Sequence, residues 1–67
     1  MSEFAHKAKF PDASALRESA KALLVEIEGE ESWIPKSQID DDSEVFAQGD
    51  SGMLVVNEWW AEKEGLI

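Results

Sequence analysis

Leu23, Val25 and Ile27 alternate with Leu24, Glu26 and Glu28. A period of two puts one set of side chains on each face of an extended chain, so this stretch reads as a half-buried strand in need of a partner strand. Gly29 breaks the alternation, and Ser32-Trp33-Ile34 resumes it until Pro35, which cannot donate to a ladder. Glu28-Gly29-Glu30-Glu31 is therefore read as the turn of a hairpin. A two-residue loop at Gly29-Glu30 sets Ile34 opposite Val25 on the core face, whereas one residue more sets Trp33 there, because a one-residue slip exchanges the faces.

Downstream, Lys36-Ser37-Gln38-Ile39 is a short connection and Asp40-Asp41-Asp42-Ser43 a solvated loop whose like charges resist close packing. Glu44-Val45-Phe46 reads as a brief third strand. Gly49-Asp50-Ser51-Gly52 is a turn, and Met53-Leu54-Val55-Val56 is the most apolar strand, expected at the centre of the sheet. Asn57 suits the N-cap of a helix over Glu58 to Glu64, with Gly65 as its stop and Leu66 folding back on the last turn. Residues 22–67 thus form an acidic β-β-β-β-α domain. Residues 1–21 read as an N-terminal arm in which Pro11 disfavours helix at Phe10. Within it, Asp12 can cap a short helix over Ala13 to Ala20; an ordered loop is the alternative. The expected fold class is α+β: a small antiparallel sheet of three to five strands, free to curl like a barrel, with one short C-terminal helix.

A 67-residue chain is one domain with a small core and marginal stability. Its 43% hydrophobic content, with three Trp and three Phe, is too apolar for a disordered acidic tail despite a formal net charge of −9. Twelve of the fifteen acidic residues follow Lys21, opposed only by Lys36 and Lys63, so nearly all the charge lies on residues 22–67. A field of that sign repels phosphate backbones and membrane surfaces and attracts basic protein surfaces. With no cysteine the chain has no disulfide framework or thiolate zinc site, and no run approaches the length of a membrane span, so a cytoplasmic setting is expected.

No motif supplies catalytic chemistry. Gly49-Asp50-Ser51-Gly52 matches the tetrapeptide around the nucleophile of trypsin-like proteases, yet the one histidine, His6, lies in the arm and the chain is far too short for that scaffold. Asp40, Asp42 and Glu44 alternate like the first ligands of an EF-hand, but Val45 stands where glycine is needed and Ser51 where glutamate is needed. The glutamates of the hairpin lack a cleft that would separate their pKa values. No metal or other cofactor is expected, and the chain is not expected to be an enzyme. Trp59 and Trp60 sit about 100° apart on a short helix, so one is expected in the core and the other, with Trp60 favoured over Trp59, exposed among acids as a binding anchor; burial of both in the core is the alternative.

The segments Lys21–Ile39 (KALLVEIEGEESWIPKSQI) and Gly49–Ala61 (GDSGMLVVNEWWA) are similar to short uncharacterised proteins of phages and prophages. The resemblance covers residues 21–65, about two thirds of the chain, and carries no assigned chemistry. It implies an accessory protein acting in a bacterial cytoplasm, a class that includes inhibitors of host defence nucleases such as anti-CRISPR proteins. The expected function is therefore a non-catalytic inhibitor that binds a basic nucleic-acid-binding surface of a host defence protein, with carboxylates where phosphates would lie. Glu26, Glu28, Glu30, Glu31, Asp40, Asp41, Asp42 and Glu44 are the electrostatic candidates, with Trp33 or Trp60 as anchor. The alternative is a structural or regulatory module that docks on a host or phage protein through a sheet edge or an exposed aromatic, its acidity serving solubility. Neither expects direct contact with nucleic acid or membrane.

Overall fold

The computed structural model describes residues 6–67. Four strands form one antiparallel open sheet: β1 (Lys7–Glu18), β2 (Ala22–Ile27), β3 (Glu30–Pro35) and β4 (Ser51–Asn57), followed by a short helix, α1 (Glu58–Lys63). The order across the sheet is β3-β2-β1-β4. This is the small α+β class expected, without closure into a barrel.

The residues expected to form an arm are instead the inner strand on which the sheet is built. β1 pairs through Ala13 to Glu18 with β2 and through Lys7 to Ser14 with β4, so the fold has no separate 22–67 domain. Two bulges explain why β1 does not look like a strand. Opposite β4 the register skips between Phe10 and Ala13, where Pro11 lacks a ladder donor; opposite β2 it skips between Ala15 and Arg17. Each extra residue reverses the inward set, so the buried positions are Ala8, Phe10, Ala13 and Ala15, spaced two, three, two. Three of those four are alanines, good helix formers with little apolar signal, which is why a helix over Ala13 to Ala20 was expected. Tertiary pairing overrides that preference.

The hairpin turns on Glu28-Gly29, with φ of 53° and 84°, both in the left-handed region that a two-residue turn of this hand requires. Leu23 lies opposite Ile34 and Leu24 opposite Trp33. Both expected registers are therefore corrected: the loop begins one residue earlier than Gly29-Glu30, which slides β3 by two positions and leaves Ile34 on the core face.

Glu44-Val45-Phe46 is not a strand. Residues 39–45 run along the outer edge of β4: Ile39 bridges Val56, Asp40 N–H donates to Val55 O (2.8 Å), Glu44 N–H donates to Met53 O (2.7 Å), and Ser43 Oγ accepts from Val55 N–H (3.2 Å). Val45 drops into the core with no exposed surface, while Glu44 and Phe46 on either side of it stay exposed. β4 thus ends the sheet instead of occupying its centre, and its edge is sealed by the chain itself. Gly52 takes a φ of 131°, a conformation that other residues rarely adopt, where the chain passes Glu44.

Leu23, Val25, Ile34, Val45, Leu54 and Val56 form the fully buried centre. α1 closes it with Ala61. Asn57 caps the helix, its side chain accepting from Trp59 N–H (3.2 Å), and the last turn closes with Gly65 N–H on Glu62 O and Leu66 N–H on Ala61 O, returning Leu66 to the core as expected.

Candidate protein-binding face

Residues directly opposite in an antiparallel pair share a face, so the register fixes what lies on the side of the sheet away from the core. There Trp33 of β3, Leu24 of β2 and Arg17 of β1 form one row, and Glu31, Glu26, Ser14 and Ser51 form the next. Trp33 is 51% exposed and Leu16, in the second bulge, 38% exposed, while Leu24 is half-buried between the neighbouring strands. The result is an apolar band with a tryptophan at its β3 end. Leu16 and Arg17 were not foreseen as site residues, because they lie in the segment read as helix. Leu24 was legible as the outward residue between Leu23 and Val25.

Two carboxylates meet beside that band. Glu26 and Glu31 are paired across β2 and β3, and among the described residues neither has a cationic partner. Like charges directly opposite destabilise a sheet, so the pair is retained against a local energetic cost. Glu28 stands in the turn. Glu30 faces the other way, opposite Ile27, onto a cleft of about 220 Å³ lined by Phe10, Ile27, Glu28, Ser32 and Leu66. The four hairpin glutamates therefore gather around one end of the sheet, as the sequence suggested.

Asp40, Asp41, Asp42 and Glu44 do not join them. They lie beyond β4, separated from β3 by the full width of the sheet. Asp40 is 2% exposed, which corrects its reading as a solvated acid. Its Oδ1 accepts from Asp42 N–H (2.9 Å) and lies 3.4 Å from Lys7 Nζ, because the segment sealing β4 must turn inward here and a buried carboxylate needs donors. Lys7 Nζ also contacts Asp42 at 2.6 Å. The hydrogen bond to Asp42, with the charge of Asp40, raises the Lys7 pKa above the ordinary lysine value. Glu44 Oε1 accepts from Met53 N–H (2.9 Å), so it serves the edge seal. Of this group, Asp41 is left as an exposed carboxylate outside these contacts, and it too is engaged elsewhere in the chain.

The tryptophan pair divides as expected, but with its members exchanged. Trp59 is 64% exposed, with Lys63 Nζ 5.1 Å from its ring centroid, whereas Trp60 packs against the core. Ala61 fixes the rotation of the helix by entering the core, and Trp60 lies nearer that buried side. Trp60 is thus withdrawn as an exposed anchor, and Trp33 is the tryptophan that stands with the carboxylates.

The Gly49-Asp50-Ser51-Gly52 segment is a turn. Asp50 Oδ2 accepts from Phe46 N–H and Ala47 N–H (3.0 Å each), which leaves its carboxylate committed to the backbone. Beside it, Glu18 accepts from Lys36 Nζ and from Gln48 N–H (3.1 Å), and these two donors, the lysine foremost, hold its carboxyl below the usual carboxylate range. Among the described residues, no cluster of three or more His, Asp or Glu side chains is placed to hold a metal ion. No described helix is long and apolar enough to cross a membrane. Comparison of the chain with known protein families, with curated proteins and with solved structures finds no match to any of them.

Proposed function

We propose that the chain is a non-catalytic inhibitor, carried by a phage, that binds in the bacterial cytoplasm to a basic nucleic-acid-binding surface of a host defence protein. The hairpin end of the sheet is its docking surface: the outer face with Trp33, Glu26 and Glu31, and the turn and cleft side with Glu28 and Glu30. The observation that carries this reading is the unneutralised Glu26–Glu31 pair beside exposed Trp33: an apolar anchor next to two carboxylates is the complement of a surface that presents lysines and arginines around an aromatic or aliphatic hollow. The phage setting rests on the resemblance over residues 21–65. The contact area is redrawn from the sequence expectation: Glu26, Glu28, Glu30, Glu31 and Trp33 are retained, whereas Asp40, Asp42 and Glu44 hold the fold together.

The apolar band of Trp33, Leu24 and Leu16 also supports the alternative, docking on a host or phage protein in which charge serves solubility. Salt separates the two. The chain is immobilised, its partner captured from bacterial lysate and purified, and the affinity measured over a range of ionic strength with and without competing DNA. Steep loss of affinity with salt and displacement by DNA are expected. Affinity indifferent to salt and DNA would replace the inhibitor reading by the apolar one.

A further inference from the structure

The two edges of the sheet are treated differently. β4 is sealed by residues 39–45, whereas among the described residues the outer edge of β3 pairs with nothing. Lys36 N–H donates to Lys21 O and Ser19 N–H to Ala22 O, which fixes the parity of the hairpin: Glu30, Ser32 and Ile34 bond to β2, and the N–H and C=O groups of Glu31 and Trp33 point outward with the Pro35 carbonyl. An unpaired row of that kind is a template for another strand. On one side of the edge stand the Trp33 and Glu31 side chains; on the other is the cleft with Phe10, Ile27 and Leu66 as its floor and Glu28 and Glu30 on its rim. At about 220 Å³ it is smaller than ordinary small-molecule pockets and suits one long side chain.

We propose that β3 is a strand-addition edge that takes an extended basic segment of the partner protein. The segment pairs with Glu31 and Trp33 through main-chain hydrogen bonds. Its residues opposite those two lie on the outer face, where Glu26, Glu31 and the indole favour arginine or lysine. The residue between them points into the cleft, where a long basic side chain lays its stem on Phe10, Ile27 and Leu66 and brings its charge to Glu28 and Glu30. A second copy of this chain fits the edge poorly, since it would bring Glu30 and Glu31 against the same acids. The inference rests on the proposed function for the partner's basic character and adds the backbone pairing that a purely electrostatic contact does not need.

The test uses the full chain, ¹⁵N-labelled, titrated with a capped heptapeptide of three consecutive arginines flanked by valines, and with the same peptide N-methylated at alternate residues so that charge is kept and edge donors are lost. The parent peptide is expected to shift the Glu31 and Trp33 amides and protect them from exchange, and the N-methylated peptide to bind about tenfold more weakly. Glu31→Pro, which deletes an outward donor at an edge that tolerates proline, is expected to weaken the parent peptide about tenfold, and Glu31→Gln only about threefold. Equal binding of the two peptides would overturn strand addition and leave charge-driven docking standing. Binding of neither, or an edge already paired in a dimer of the free protein, would overturn it as well. Loss of salt-sensitive partner capture with peptide pairing intact would instead sink the proposed function alone.

Discussion

Deleting residues 1–11 is expected to abolish cooperative folding. The deletion removes Lys7 to Pro11 from β1, and with them the pairing of Lys7 with Asn57, Ala8 with Val56, Lys9 with Val55 and Phe10 with Leu54. Phe10 is 9% exposed, and loss of a buried phenylalanine alone costs about 3 to 5 kcal/mol. Half of the lost pairs are hydrogen-bonded ones, so the inner edge of β4 is left with about four unpaired backbone groups, each costing about 1 to 3 kcal/mol where water cannot reach. Lys7 leaves buried Asp40, and His6 O no longer accepts from Glu58 N–H (3.1 Å) at the start of α1. Against a total stability of about 3 to 5 kcal/mol for a domain of this size, the sum is decisive. Thermal melting followed by far-ultraviolet circular dichroism checks it, with Phe10→Ala as the point version, expected to lower the melting temperature by 10 °C or more or to leave no transition. If the truncated chain kept a cooperative transition near that of the parent, β1 would be dispensable and the sheet order β3-β2-β1-β4 would be wrong.

Trp60→Ala is expected to cost about 2 kcal/mol or more and Trp59→Ala under about 1 kcal/mol, read from the same melts, because only Trp60 packs on the core and Trp59 loses a solvent-exposed cation–π contact. Asp40→Asn should destabilise by about 1 to 3 kcal/mol, since it removes the buried one of the two carboxylates that face Lys7; an unchanged melting temperature would show that the charge is not needed there. Glu18 has a lowered pKa in the folded state, so its stabilising contribution is present above the ordinary carboxylate value and is lost as pH falls through the lowered one; Glu18→Gln should flatten the acid limb of a stability–pH profile and leave neutral pH to basic pH parallel to the parent. Lys7 runs the opposite way, its contribution present below the ordinary lysine value and lost as pH rises through the raised one.

The elements that came through from the sequence are those whose periodicity is intact. β2 alternates without interruption, Gly29 and Pro35 bracket β3, and Asn57 and Gly65 bracket α1. β1 was invisible for three reasons acting together: two bulges break its period, its buried positions are mostly alanine, and one of its two partner strands, β4, lies far along the chain. Four strands were expected and four are present, but β1 takes the place given to Glu44-Val45-Phe46. In the candidate site, Glu26, Glu31 and Trp33 followed from alternation alone once the face of Ile34 was known. The burial of Asp40 did not, because three consecutive aspartates carry no local mark of which one turns inward to meet Lys7, a residue thirty-three positions earlier.

The acidity of the chain therefore has two physical meanings on its two edges. Beyond β4 the carboxylates are structural: Asp40, Asp42 and Glu44 accept from Lys7 and from backbone N–H groups, and their charge is spent. At the hairpin, Glu26 and Glu31 have no cationic partner among the described residues and stand opposite each other. That asymmetry gives a prediction with two readouts. Glu31→Gln should raise the folding stability by about 0.2 to 1 kcal/mol by relieving the cross-strand repulsion, while slowing association with the basic partner at low salt. Chemical denaturation gives the first and stopped-flow or surface-binding kinetics the second. A substitution that stabilises the fold and weakens binding marks a residue held in place by function. If Glu31→Gln left association unchanged while stabilising the protein, the pair would be an unselected strain on the sheet, and the docking surface would have to lie elsewhere.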